Sequence, residues 1–82
     1  MGKRIGVIAI LVEGRGESVR RVNDLLSQFG EIIIGRLGIP YRERGINVIS
    51  ITVEGTTDEV GALTGKLGML PEVTTKSLLL TK

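Results

Sequence analysis

The residues of this chain that could do chemistry are acids, arginines and one tyrosine, because its 82 residues include neither cysteine nor histidine. Without thiols the chain forms no disulfide and has no thiol nucleophile, and without histidine it lacks the commonest metal ligand and general base near neutral pH. We therefore predict no catalytic residue, no metal site and no cofactor. The formal net charge of +2 is too small to indicate nucleic acid as the main partner.

A first candidate ligand site is the junction between a predicted strand and a predicted helix. Its residues are Val12, Glu13, Gly14, Arg15 and Gly16. At such a junction the free backbone N–H groups and the helix dipole favour a bound anion, which makes the loop a candidate site for a ligand carboxylate or phosphate. The residues themselves favour an ordinary exposed turn, in which Glu17 or Ser18 compensates the free N–H groups.

A second candidate site lies in the segment GRLGIPYRERG, residues 35–45, which links the two halves of the chain. Gly38 and Pro40 are explained by structure, because they would end the second strand and set the crossing to the third. The remaining polar residues have no such task. We predict that they form a surface for a partner, and they are Arg36, Tyr41, Arg42 and Arg44.

Hydrophobic periodicity predicts the strands that position these residues. In residues 5–12 both the odd-numbered and the even-numbered positions are apolar, which is typical of a strand that is covered on both faces. Residues 46–53 alternate more cleanly and indicate a strand with a more polar second face. Two further runs are predicted as strands: residues 32–37, which end before Gly38 and Pro40, and residues 73–80.

Two other segments have the three-and-four spacing of amphipathic helices. The first begins at Glu17 and stops at Gly30. The second opens at Thr56, which has capping-box spacing with Glu59, and it ends before Pro71. Their apolar stripes are Val19, Val22, Leu25, Leu26 and Phe29 in the first helix and Val60, Leu63, Leu67 and Leu70 in the second.

The second half of the chain repeats the first. A shift of 41 residues places Ile5 on Ile46 and the triplet Val12-Glu13-Gly14 on Val53-Glu54-Gly55. The order βαββαβ then indicates two βαβ units in tandem within one domain, residues 1–82. We predict an α+β, ferredoxin-like sandwich: a four-stranded antiparallel sheet of order 4-1-3-2 with two helices on one face.

Helices on one face leave the other face of the sheet uncovered. Val7 or Ile8, together with Leu79 or Leu80, would remain in water there, at roughly 1.5–3 kcal/mol for each large side chain. We therefore expect a homo-oligomer, a dimer or a tetramer, that covers this open sheet face.

Small residues in the second helix have two interpretations. They are Gly61, Ala62, Gly65 and Gly68. We interpret them as tight packing of this helix on the sheet, with a close contact between subunits as the alternative.

Two other functions share the predicted element order. The glycine-rich loop of the first candidate site loosely resembles that of acylphosphatases, in which Arg20 or Arg21 would bind phosphate and Asn47 would be the polar partner. An RNA-recognition domain needs aromatic platforms on its central strands, but the aromatic residues here are Phe29 and Tyr41. Direct binding of nucleic acid is therefore not expected.

Two motifs relate the chain to a known family. They are Gly35-Arg36-Leu37-Gly38-Ile39-Pro40-Tyr41 and Ala62-Leu63-Thr64-Gly65-Lys66-Leu67-Gly68. With matches along nearly the full length, the chain resembles the small regulators of the iron-only hydrogenase system. Their pattern has GR-x-GIPY after the second strand and ALSGKLG in the second helix, so that Thr64 replaces the usual serine.

The resemblance implies a function. The family is grouped with ACT-like and nickel-regulator C-terminal domains, which form oligomers and sense small ligands near the first strand-to-helix loop at a subunit interface. Nickel sensing does not carry over, because it uses histidine and cysteine ligands. We expect a cytoplasmic, non-enzymatic ACT-like regulatory domain without a membrane segment, which binds a small-molecule effector or a partner protein. The alternative is a small acylphosphatase-like enzyme.

Overall fold

The computed structural model describes residues 2–14 and 16–82 and has the predicted element order. Its strands are β1 (Arg4–Val12), β2 (Ile33–Tyr41), β3 (Ile46–Gly55) and β4 (Val73–Leu79), and its helices are α1 (Glu17–Gln28) and α2 (Thr57–Gly68). Short 3-10 turns, Gly30–Ile32 and Arg42–Arg44, precede and follow β2. The βαββαβ prediction is therefore confirmed.

The four strands form an antiparallel sheet in the order β2-β3-β1-β4. Counted from the other edge, this is the predicted order 4-1-3-2, with the two most apolar strands in the centre. Val12 pairs with Asn47 and with Val73, so the end of β1 lies level with the starts of β3 and β4. Each βαβ half thus contributes one central strand and one edge strand.

Strand β2 is longer than predicted. We expected it to end before Gly38 and Pro40, but it continues through both residues to Tyr41. The expectation was wrong because β2 is an edge strand, where the outer side of the backbone has no partner and a missing N–H is tolerated. A bulge at Ile34 shifts the pairing register near the start of the strand.

A hydrophobic core lies between the two helices and one face of the sheet. Val22 and Leu26 of α1 and Leu63 and Leu67 of α2 are at most 2% exposed. On the sheet side the core consists of Ile8, Ile10, Val12, Ile49, Ile51 and Val53. Both predicted helix stripes contribute to this core, which confirms that the helices cover the same face of the sheet.

The opposite face of the sheet, which we call the open face, has no described helix or loop over it. Val7 lies on it as predicted, but Ile8 is wholly buried in the core. At the end of β4 the assignment was also wrong, because Leu78 pairs with Val7 whereas Leu79 lies on the helix side. Leu80 follows the strand and is 61% exposed.

The open face is defined by the alternation of side chains along the paired strands. Its residues are Ile5, Val7, Ala9 and Leu11 of β1, Leu37, Ile39 and Tyr41 of β2, Ile46, Val48, Ser50, Thr52 and Glu54 of β3, and Thr74, Lys76 and Leu78 of β4. Most are apolar, so the sheet buries one hydrophobic face and presents another.

The small residues of α2 do not pack the helix against the sheet. Gly61, Ala62 and Gly65 are exposed, and a Cβ at either glycine would meet no atom within 4 Å. They lie on the outer side because Val60, Leu63 and Leu67 point to the core. The interpretation as tight packing is therefore wrong for these three, and only Gly68 approaches β4, where a Cβ would lie 3.4 Å from Thr75 Cγ2.

Candidate functional site

The first candidate site begins where β1 leaves the core. Val12 is fully buried, and Glu13, the next residue, is exposed. The Glu13 N–H donates to the Glu72 carbonyl oxygen at 2.8 Å, which ties the loop to the connection between α2 and β4. The loop is therefore held by a distant part of the chain. Arg15, which we included in this site, lies outside the described residues.

Helix α1 starts without a cap from its own loop. Its N-cap is Gly16, with φ 65° and ψ −95°, and this residue has no side chain that could accept a hydrogen bond. Helix α2, in contrast, has the predicted capping box: Thr56 Oγ1 accepts from the Glu59 N–H at 3.1 Å, and Glu59 Oε1 accepts from the Thr56 N–H at 2.8 Å. The first junction thus leaves its helix terminus open to another group.

The Glu72 carboxylate lies beside this terminus, a contact that sequence reasoning missed. Ser18, in the first turn of α1 and 6% exposed, donates its hydroxyl to Glu72 Oε1 at 2.8 Å and more weakly to the Pro71 carbonyl at 3.4 Å. A Cβ at Gly14 would overlap the same carboxylate. A negative charge beside the first turn of a helix is favourable. The chain itself therefore places a carboxylate beside the terminus where we expected a ligand anion.

Glu72 is placed there by an unusual backbone conformation. Its φ is 66°. Among the described residues, Glu72 is the single non-glycine residue with a positive φ. A non-glycine residue in this region is disfavoured by about 1 kcal/mol or more. No local sequence signal predicts this, since the repeat aligns Glu72 with Glu31 but says nothing about contacts between the halves.

The second candidate site lies at the same end of the sheet. Pro40 pairs with Asn47, which pairs with Val12, so the tip of the β2–β3 hairpin lies beside the first candidate loop. Tyr41, 43% exposed, ends β2, and Arg42 begins the 3-10 turn. Gly45, with φ 66°, closes this turn through its N–H to the Arg42 carbonyl. We call this region, the loop residues 12–14 and 16 together with the hairpin tip 40–47, the hairpin end.

A cleft of about 420 Å³ opens at the hairpin tip. Its lining residues are Pro40, Arg42, Gly45, Ile46 and Asn47. Among the described residues, neither Arg42 nor Arg44 has a carboxylate within ion-pair distance. The hairpin end therefore combines exposed guanidinium groups, a cleft and a helix terminus that does not cap itself.

Arg36 is separate from the other predicted partner residues. It pairs with Ile51 in the middle of the sheet, on the helix side, and its Nη2 donates to Asn23 Oδ1 of α1 at 2.8 Å. The structure thus brings together Tyr41, Arg42 and Arg44, and it places Arg36 elsewhere as a link between β2 and α1.

The phosphate-loop arrangement that an acylphosphatase-like enzyme would need is not formed by the described residues. Arg20 and Arg21 both pair with Glu17, at 3.6 Å and 3.2 Å, on the exposed side of α1. Both arginines are therefore engaged with Glu17 on the surface of the helix.

Other kinds of site are also absent from residues 2–14 and 16–82. These residues contain no group of three acids that could hold a metal ion, and no helix long and apolar enough to cross a membrane. The two aromatic residues do not form a stacking platform, because Phe29 packs under the Lys66 ammonium group at 5.5 Å while Tyr41 lies on the open face. RNA recognition by base stacking is therefore not supported.

Comparison with known proteins identifies a family model that matches residues 4–77. It is the TM1266-like model, described as "Iron-only hydrogenase system regulator, putative". The uncharacterized protein TM1266 from Thermotoga maritima has a solved structure that is 39% identical in sequence, with a TM-score of 0.94. The alignment covers 96% of this chain and 99% of that chain.

More distant structures share the fold alone. The ACT domain of the GTP pyrophosphokinase of Chlorobium tepidum is 20% identical, with a TM-score of 0.77 over 93% of this chain and 99% of that chain. The C-terminal domain of the MgtC protein of Mycobacterium tuberculosis is 12% identical, with a TM-score of 0.74 over 98% and 90%. No curated protein sequence is significantly similar to the chain. The ferredoxin-like, ACT-like fold is thus confirmed.

Proposed function

The chain belongs to the TM1266-like family of iron-only hydrogenase system regulators, as the two motifs indicated, and we propose from this premise that it is a non-enzymatic regulatory domain. It acts in the cytoplasm as a homo-oligomer and responds to a small ligand or to a partner protein at its hairpin end. Its effect on the iron-only hydrogenase system passes through this binding event rather than through a reaction.

One observation carries the proposal: the loop predicted as ligand site and three of the four residues predicted as partner surface, Tyr41, Arg42 and Arg44, lie at one end of the sheet. The pairing of Val12 with Asn47 and of Asn47 with Pro40 joins them. A ligand at the loop is therefore next to a surface that a partner protein can contact. This proximity is what a domain needs to convert ligand binding into a change of partner affinity.

The loop suits an exchangeable ligand because its present anion is a side chain on an exposed residue. Glu72 is held beside α1 by the Ser18 hydroxyl and by contact with Gly14. A ligand carboxylate can take its position at the helix terminus while Glu72 turns to solvent. The exposed Arg42 and Arg44 supply a positive field nearby, and guanidinium groups bind carboxylates through charge-assisted hydrogen bonds.

Assembly into an oligomer accounts for the open face. Leu37, Leu78 and Ile39 are 62%, 63% and 49% exposed on it. Contiguous apolar surface of this kind usually marks an interaction site. The assembly is a dimer or a tetramer.

A thermal-shift screen of amino acids, nucleotides and metabolite anions tests the ligand part of the proposal. A ligand present at a hundred times its Kd is expected to stabilise the native state by about 2.7 kcal/mol. A screen without any shift would contradict ligand sensing and leave a partner protein as the effector.

The location of the site is tested with arginine variants. For an anionic ligand from the screen, the double variant Arg42→Gln/Arg44→Gln is expected to raise Kd about tenfold, because charge-assisted hydrogen bonds are lost. Arg36→Gln is the matched control, since Arg36 is engaged with Asn23 away from the hairpin end. Equal effects of the two changes would place the ligand elsewhere.

A further inference from the structure

The outer edge of β4 presents unpaired backbone groups. In an antiparallel ladder, residues direct their N–H and C=O groups alternately toward the neighbouring strand and away from it. Just beyond the two ends of the β1–β4 pairing, the Glu13 N–H donates to the Glu72 carbonyl at 2.8 Å and the Leu80 N–H donates to the Ile5 carbonyl at 2.7 Å. The residues of β4 that point away from β1 are therefore Val73, Thr75, Ser77 and Leu79.

The other edge of the sheet, β2, is partly closed to a further strand. The same alternation, carried across β1 and β3, directs the backbone of Arg36, Gly38 and Pro40 away from β3. Pro40 has no N–H to donate, and the bulge at Ile34 disturbs the other end of the strand. Proline and bulges are means by which edge strands avoid pairing with other chains. The β4 edge has neither, and among the described residues no backbone group pairs with it.

Helix α2 leaves room for a strand beside β4. Gly68 faces β4, since a Cβ there would lie 3.4 Å from Thr75 Cγ2. Gly65 and Gly61 are three and seven residues earlier, so they lie on the same flank of the helix. Both are exposed, and a Cβ at either would meet no atom within 4 Å. Side chains on the helix side of an added strand would therefore meet open space.

The side chains of β4 select the sequence of a strand that pairs with it. Lys76 and Leu78 lie on the open face at the free edge, and Leu78 is 63% exposed. Among the described residues, Lys76 has no carboxylate within ion-pair distance. Residues directly opposite each other on neighbouring strands stabilise the pairing when their charges are opposite or when both are apolar. The matching pattern is therefore an acidic residue opposite Lys76 and an apolar residue, two positions away, opposite Leu78.

A second copy of β4 does not match this pattern. The strand runs from Val73 to Leu79, so two copies that pair antiparallel over their full length are centred on Lys76. Each Lys76 would then lie directly opposite the other, and like charges in this position are destabilising. The edge is therefore suited to a different chain.

We propose that β4 is the docking edge for an extended segment of a partner protein. The segment adds to the sheet as a further strand and places an acidic residue opposite Lys76 and an apolar residue opposite Leu78. Backbone hydrogen bonds to the free edge supply affinity, and the two side-chain pairs supply specificity. This inference goes beyond the proposed ligand response, because strand addition at β4 needs neither a ligand at the hairpin end nor an oligomer.

The test is an NMR titration of the isotope-labelled full chain with a blocked peptide of sequence TITETVT. In antiparallel addition this peptide places its glutamate opposite Lys76 and its isoleucine opposite Leu78. Saturable shifts are expected for the outward amides of β4, which are those of Val73, Thr75, Ser77 and Leu79. The amides of Arg36 and Gly38, at the β2 edge, should stay in place. Shifts at the β2 edge instead, or no saturable shift up to the solubility limit of the peptide, would overturn the proposal.

A charge exchange tests the pair at Lys76. The peptide TITKTVT, with lysine in place of the glutamate, is expected to bind the wild type about fivefold more weakly, because like charges then lie opposite each other. The variant Lys76→Glu is expected to reverse this preference. If both peptides bind both chains with equal affinity, the proposed charge pair is wrong.

Backbone pairing is tested by removing a donor from either side. Ser77→Pro removes an outward N–H, as Pro40 does in β2, and is expected to abolish peptide binding, whereas the matched control Ser77→Ala should bind as the wild type does. TITETVT with an N-methyl group on the threonine opposite Ser77 should also lose binding. If Ser77→Pro does not fold, as judged by circular dichroism, the methylated peptide decides alone. Unchanged binding of that peptide would contradict strand addition.

A second copy at this edge has its own signature. The outward amides of β4 would then shift with the concentration of the chain alone, and Ser77→Pro would remove this dependence. That result would overturn the choice of a partner segment as the occupant. Signals that do not change with concentration, together with the peptide shifts at β4, would support it.

Discussion

The two strand-to-helix junctions of the chain are related by the repeat, yet different chemistry closes them. At the second, Thr56 and Glu59 cap α2 with residues of the same loop and first turn. At the first, Gly16 gives α1 no side-chain cap, and the Glu72 carboxylate approaches from the connection between α2 and β4. The junction in the second half is thus closed by its own residues. The equivalent junction in the first half depends on a residue of the second half.

The glycines that end β1 and β3 show the same difference. Gly14 and Gly55 are equivalent in the repeat, but a Cβ at Gly55 would lie 3.0 Å from Glu59 Oε1 and also 3.2 Å from Ile32 Cγ2, which belongs to a core side chain. At Gly14 the neighbour is Glu72, an exposed side chain. The second junction is therefore built into the core, whereas the first is closed by a group that can move. This difference explains why we assign ligand binding to the first junction.

The largest expected effect separates the two glycines. Gly55→Ala forces the added methyl group against Ile32 and the capping Glu59, and it is expected to lower the free energy of unfolding by about 1–3 kcal/mol. Gly14→Ala displaces only Glu72 and is expected to stay within about 1 kcal/mol of the wild type. Urea denaturation of both variants measures the difference, and equal losses would contradict it.

A smaller effect is expected from the cap of α2. Thr56→Ala removes the side chain that accepts from the Glu59 N–H, and the loss of such an N-cap costs about 1 kcal/mol. The same urea titration measures it. Thr57→Ala, one residue later, is the control and is expected to change the free energy of unfolding by less than half as much. A Thr56 variant as stable as the wild type would show that α2 does not depend on its own loop.

The contribution of the distant carboxylate is expected to be smaller again. Glu72→Gln keeps an acceptor for Ser18 but removes the charge beside the helix terminus, which is worth about 0.5 kcal/mol. Glu31→Gln is the control, because Glu31 is the repeat equivalent and lies in a 3-10 turn. Chemical denaturation at low and high salt checks the assignment, since an electrostatic contribution diminishes with salt. A loss that salt does not change would exclude the charge as its cause.

The smallest effect is expected on the surface of α1. Arg21→Gln removes an exposed pair with Glu17 and should change the free energy of unfolding by about 0.3–0.5 kcal/mol or less. We also expect that acyl phosphates are hydrolysed at the same rate with this variant, with the wild type and in buffer alone. Hydrolysis that depends on Arg21 would instead restore the acylphosphatase-like alternative.

Most of the fold could be predicted from the sequence because its signals are local. The helix stripes, the Thr56–Glu59 capping box and the alternation of β3 each depend on residues within a few positions of one another. The repeat then fixed the order of elements. The end of β2 was predicted wrongly because a proline ends a central strand but not an edge strand, and edge position is a property of the sheet rather than of the segment.

The candidate site could be predicted only in part. Val12 to Gly16 and Tyr41 to Arg44 stand out by residue type, and sheet order explains why they meet. The contact of Glu72 with Ser18 and Gly14 joins residues more than fifty positions apart, through a backbone conformation that no residue preference predicts. Arg36 lies apart from Tyr41, Arg42 and Arg44 because side chains alternate along β2, and its own side chain lies on the helix side, toward α1.

The most direct test of the account is an NMR titration of the labelled chain with whichever metabolite stabilises it most in the thermal screen. We predict that the backbone amide signals of Glu13, Gly14, Gly16 and Ser18 shift in proportion to bound ligand, together with Glu72, whose carboxylate is displaced. The amides of Thr56 to Glu59, at the self-capped junction, should stay in place. Shifts centred on Thr56 to Glu59, or of equal size at both junctions, would contradict the assignment of ligand binding to the first half.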